Sequence, residues 1–111
     1  MFTKEKKWER SRHESPSDAS IQTLSGHSNW VYALQSLAND KLASSSSDGT
    51  IKIWDVSVPG NGRHLYDLPP GHTQPIRSLC VLANNLLVSG ASDNLIKIWD
   101  DTIGNISKEL K

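Results

Sequence analysis

From residue 20 onward the chain is built of short runs in which apolar and polar residues alternate, broken by pairs of turn-forming residues. Val31–Leu37, Lys41–Ser47 and Thr50–Val56 have the length and the period of strands. Ile51 and Ile53 alternate with Lys52 and Trp54 as a pleated strand requires. Asn39-Asp40 and Asp48-Gly49 punctuate these runs, and Asp-Gly is a strong hairpin signal because its backbone reaches positive φ at low cost. His64–Leu68 is predicted as a fourth strand. Further on, Ile76–Leu82, Leu86–Ser92 and Leu95–Asp100 are predicted as strands, turned by Asn84-Asn85 and Asp93-Asn94, with Ile106–Leu110 as a short fourth. Ser20–Leu24 is expected to be the outer strand of a preceding unit. Residues 1–19 are rich in Lys, Arg, Glu and Ser and nearly lack aliphatic side chains. Such a composition buries too little surface to offset chain entropy, so a disordered or weakly helical tail is expected.

The two sets of strands are copies of one another. Residues 26–55 and 71–100 align without a gap at an offset of 45 residues, and 15 of the 30 aligned positions are identical. Each copy opens on Gly-His (Gly26-His27, Gly71-His72) and closes on Trp-Asp (Trp54-Asp55, Trp99-Asp100). A period of this length with these ends is the signature of a propeller blade.

On these motifs the chain resembles the WD-repeat (WD40) family over residues 20–110. The resemblance implies an all-β fold: two four-stranded antiparallel blades of a β-propeller, the first over 20–70 with the preceding outer strand, the second over 71–111, after a tail at 1–19. It also implies a hydrogen-bonded tetrad in each blade, joining the Gly-His histidine, a second-strand hydroxyl, the turn aspartate and the third-strand tryptophan. Carried over by position, the first blade supplies His27, Ser46, Asp48 and Trp54. The second supplies His72, Asp93 and Trp99, with Ala91 where the hydroxyl is expected. A buried polar group short of a partner costs about 1–3 kcal/mol, so the second blade is expected to be the less rigid one. The resemblance further places Trp30, Tyr32 and Ser47, and Pro75, Arg77 and Ser92, on the top face around the axis. Trp, Tyr and Arg are the side chains most enriched at interface hot spots. The alternative for Trp30 is packing against a neighbouring blade. Val31, between Trp30 and Tyr32, suits the inward position.

Other chemistry is sparse. His27, Ser46 and Asp48 contain the residue types of a hydrolase triad, but the set recurs in each repeat and lacks a nucleophile elbow, which favours a structural role. Cys80, the single cysteine, lies mid-strand and is expected to be a buried or half-buried structural thiol. His13, His27, His64 and His72 have no metal-ligand spacing, so no metal and no cofactor are expected. Lys4, Lys6, Lys7, Arg10 and Arg12 interleave with Glu5, Glu9 and Glu14, which reads as a solvated tail. Lys+Arg and Asp+Glu both number 12, so net charge supplies no bulk attraction to nucleic acid or an anionic membrane. The sequence contains no apolar run of the roughly 18 residues a membrane helix needs and no signal-peptide pattern at its start. The expectation is a cytoplasmic or nuclear, non-enzymatic scaffold that binds other proteins. A ring closes with about four to eight blades, and two leave both flanking faces uncovered. The chain is therefore expected to be a fragment or short isoform of a longer propeller. The alternative is a blade pair that self-assembles or is completed by further blades from a partner, with a structural, oligomerising role.

Overall fold

The computed structural model describes residues 20–100 and the backbone of residues 105–110. The strands are β1 (Val31–Leu37), β2 (Lys41–Ser46), β3 (Ile51–Asp55), β4 (Arg63–Asp67), β5 (Ile76–Val81), β6 (Leu87–Ala91), β7 (Ile96–Asp100) and β8 (Asn105–Leu110). They form two antiparallel sheets, ordered β1-β2-β3-β4 and β5-β6-β7-β8. The expected all-β pair of four-stranded blades is what the chain folds into, with strand ends shifted by a residue or so. The tail at 1–19, with its basic residues, lies outside the described residues.

The turns follow the residues that tolerate a left-handed backbone. Asn39 and Asp40 have φ of 64° and 57°, and Gly49 has φ of 83°. In the second sheet Asn94, at φ 71°, stands where the first has Gly49. Asn is the side chain that visits this region at least cost after glycine. Both sheets also carry the same irregularity. The β1–β2 register shifts between Val31 and Ala33, and the β5–β6 register between Ile76 and Ser78. A bulge of this kind re-aims a side chain, and the extra residues are Tyr32 and Arg77.

Ser20–Leu24 is not a strand, contrary to expectation. A strand needs a ladder partner, and this segment is instead tied through the Gln22 side chain. The Gln22 amide accepts from the Gly62 N–H at 2.6 Å and donates to the Gly62 carbonyl at 2.7 Å.

The core lies between the sheets. Ala43, Ile51, Ile53 and Leu68 from the first half meet Ile76, Leu87 and Trp99 from the second, all buried. The Ser45 hydroxyl crosses the same interface and donates to the Ile76 carbonyl at 3.0 Å. Each fully buried large aliphatic side chain contributes about 1.5–3 kcal/mol, so this joint holds the two halves as one body. Because side chains alternate along a strand, each sheet has a second face turned away from its neighbour. Those outer faces carry Val31 and Leu34 at one end of the stack and Ile96 at the other, all exposed.

Candidate functional site

In the first blade the polar cluster forms a directed chain. An indole N–H can only donate and a carboxylate can only accept, so the two ends set the direction of every bond between them. Trp54 donates its Nε1–H to the Ser44 hydroxyl at 2.8 Å. Ser44 donates to His27 Nε2 at 2.7 Å, and His27 Nδ1–H donates to Asp48 at 3.1 Å. Burial works to raise the Asp48 pKa. Bonds from the Thr50 hydroxyl, the backbone N–H groups of Ser28 and Thr50, and His27 outweigh it and hold the carboxyl well below the usual carboxylate range.

The second blade repeats this without a gap. Trp99 Nε1–H donates to the Ser89 hydroxyl at 2.8 Å, Ser89 meets His72 Nε2 at 2.7 Å, and His72 Nδ1 meets Asp93 at 3.0 Å. Asp93 is likewise lowered: burial raises it, and bonds from His72 and the N–H groups of Thr73 and Leu95 prevail.

Two assignments made by position are therefore corrected. The first-blade hydroxyl is Ser44, not Ser46, and the second blade is complete through Ser89 despite Ala91. Strand geometry is the reason. Trp54 lies opposite Leu42, and Ser44 is its diagonal neighbour on the same face. Ser46 is a further two residues, about 7 Å, along the strand. It caps the turn instead, accepting from the Asp48 N–H at 3.0 Å. The signal was present in the repeat: Ser44 and Ser89 align as hydroxyls, whereas Ser46 aligns with Ala91.

A model of the family "WD domain, G-beta repeat" matches residues 18–55 and 62–100. The chain belongs to the WD-repeat family. No curated protein matches the chain. WD repeats serve generally as protein-interaction scaffolds, typically without catalysis. His27, Ser44 and Asp48 are connected like a hydrolase triad, but in this WD-repeat chain Ser44 is buried and its oxygen already accepts the Trp54 N–H. The arrangement clamps the entry segment, the second strand and the third strand together.

The residues placed on the top face come together across the boundary between blades. Arg77 of the second blade lies over the Tyr32 ring of the first, its Cζ 4.7 Å from the centroid. Arg77 Nε–H donates to the Ser92 hydroxyl at 3.0 Å. Trp30 stands edge-on to Tyr32 at 6.3 Å between centroids and is 71% exposed. Ser47 and Pro75 are held through backbone: the Ser47 N–H donates to the Trp30 carbonyl at 2.8 Å, and the Ser92 N–H to the Pro75 carbonyl at 3.0 Å. Val31, between Trp30 and Tyr32, is exposed on the outer face of the first blade.

Cys80 departs from expectation in being exposed. It points from the outer face of the second blade, which no described residue covers. Among the described residues no group of His, Cys, Asp or Glu could hold a metal ion, and no helix is long and apolar enough to cross a membrane.

Proposed function

We propose that this chain is a non-catalytic protein-interaction module that binds through the rim formed by Trp30, Tyr32, Arg77 and Ser92, with Ser47 and Pro75 bracing the loops beneath. The cross-blade stack of Arg77 on Tyr32 carries the reading. A hot spot needs an anchor whose conformation is set before binding, since ordering a long side chain costs about 0.5–1.5 kcal/mol at association. Tyr32 and Ser92 orient Arg77 in advance, while Trp30 leaves a broad aromatic face in solvent. The tetrads hold the blades rigid beneath this surface, and the burial of Ser44 and Ser89 supports their structural role over a catalytic one.

The test is affinity capture with the full chain and with Trp30→Ala and Arg77→Ala. Each variant is expected to weaken the same captured protein about tenfold or more, the loss typical of a hot-spot residue, with an unchanged circular dichroism spectrum. Normal capture of every wild-type partner by both variants removes the rim assignment.

A further inference from the structure

The two outer faces of the blade pair are built like the two sides of its inner joint. The 45-residue offset matches three of their exposed apolar residues with counterparts that are buried in the joint or packed against its core. Ile96, 47% exposed on the second blade, is the counterpart of Ile51, 2% exposed in the joint. Val31, 51% exposed on the first blade, is the counterpart of Ile76, 1% exposed in the joint. Leu34, 62% exposed, is matched by Leu79, which packs against the core.

We infer that a second copy of this chain docks head to tail on these faces. The outer face of the second blade seats on the outer face of the first blade of the next copy, in the geometry of the inner joint. Three observations favour this occupant. The outer faces carry the counterparts of the residues that fit in the joint: there, a face carrying Ala43, Ile51 and Ile53 receives one carrying Ile76, Leu87 and Trp99, and the outer faces offer Val88, Ile96 and Ile98 to Val31, Leu42 and Trp54. Each outer face has a shallow apolar hollow, one of about 300 Å³ lined by Val31, Leu34, Leu42 and Trp54, the other of about 180 Å³ lined by Cys80, Val88 and Ile96. The cation beside the first face, Lys52, already pairs with Asp67 at 3.0 Å, so docking does not strand it. Unlike faces meeting head to tail close into a ring when the rotation allows. With closure at about four to eight blades, the ring holds about two to four copies. One bond of the joint is missing between copies: Gly90 stands where Ser45 donates to the Ile76 carbonyl, so this contact is the weaker of the two.

Analytical ultracentrifugation of the full chain tests this with two variants at exposed positions, Leu34→Glu and Ile96→Lys, each checked for an unchanged circular dichroism spectrum. Wild-type protein at about 100 μM, enough to saturate a micromolar contact, is expected to sediment as two to four copies. Each variant alone lacks one competent face and is expected to be a monomer. Mixed, they retain one good pair of faces between them and are expected to form a one-to-one dimer. A monomeric wild type, or a mixture that stays monomeric, overturns the inference. Self-association of either variant alone also overturns it, because that requires like faces to meet.

Discussion

The Trp99 indole N–H donates to the Ser89 hydroxyl at 2.8 Å inside the joint between the blades. That hydroxyl serves three groups in series, because it also reaches His72, whose other nitrogen reaches Asp93. Removing it leaves both the indole N–H and an imidazole nitrogen short of a partner in a buried place. Ser89→Ala is expected to cost about 1–3 kcal/mol, read by urea unfolding. Adding Ala91→Ser is expected not to recover that loss. Recovery in the double variant would return the tetrad hydroxyl to position 91.

Acid is expected to loosen both blades. Asp48 and Asp93 have pKa values lowered on folding, so the unfolded chain binds their protons more readily. Their contribution is fully present above the unfolded carboxylate pKa, about 4, and is lost as pH falls through the lower folded values. Their contribution to thermal stability should be constant above about pH 5 and decline below about pH 4. Asp48→Asn and Asp93→Asn should each lower stability at pH 7 and flatten that acid limb. An acid limb of unchanged steepness in both variants contradicts the assignment.

The stack of Arg77 on Tyr32 joins the blades at the rim. A double-mutant cycle with Tyr32→Leu and Arg77→Ala should give a coupling in unfolding free energy of about 0.5–1 kcal/mol, the range of an exposed cation–π pair. Tyr32→Phe keeps the ring face and should retain most of that coupling. Additive single effects would mean that the contact does not orient Arg77.

Gly90 and Ser78 are paired across β5 and β6 as Ser45 and Ala33 are across β1 and β2. The second blade thus has the hydroxyl and the small residue exchanged between strands. A Cβ added at Gly90 would come within 3.0 Å of the Ser78 hydroxyl, so the exchange must be made at both positions. Ser78→Ala with Gly90→Ser rebuilds the donor that Ser45 provides in the joint. Assembly of this variant should shift to lower protein concentration by sedimentation, and an unchanged or weaker assembly would deny Gly90 that role.

Much of this is legible in the sequence alone. The gapless repeat fixes six of the eight short strands and their order, because strand period, turn residues and the Gly-His and Trp-Asp ends all agree at the same offset. Turn geometry was equally local: Asn94 reaches a positive φ where Gly49 does, and both residues announce it. The tetrad was legible in its residue types but not in its hydroxyl. Four consecutive serines, Ser44–Ser47, precede Asp48, and one-dimensional spacing cannot rank them.

Only the tertiary structure decided which serine meets the tryptophan, because that depends on the cross-strand register that sets Trp54 diagonal to Ser44. It alone decided that Cys80 and Val31 lie on outer faces, since alternation puts a residue on one side of a sheet without saying whether another sheet covers it. It alone brought Arg77 over Tyr32, which depends on a bulge in each blade and on the packing of one blade against the next. A strand's period is a property of its own backbone and can be read from its residues. Register, coverage and contacts between blades depend on where a second strand or sheet lies, and so were settled only when the two halves packed together.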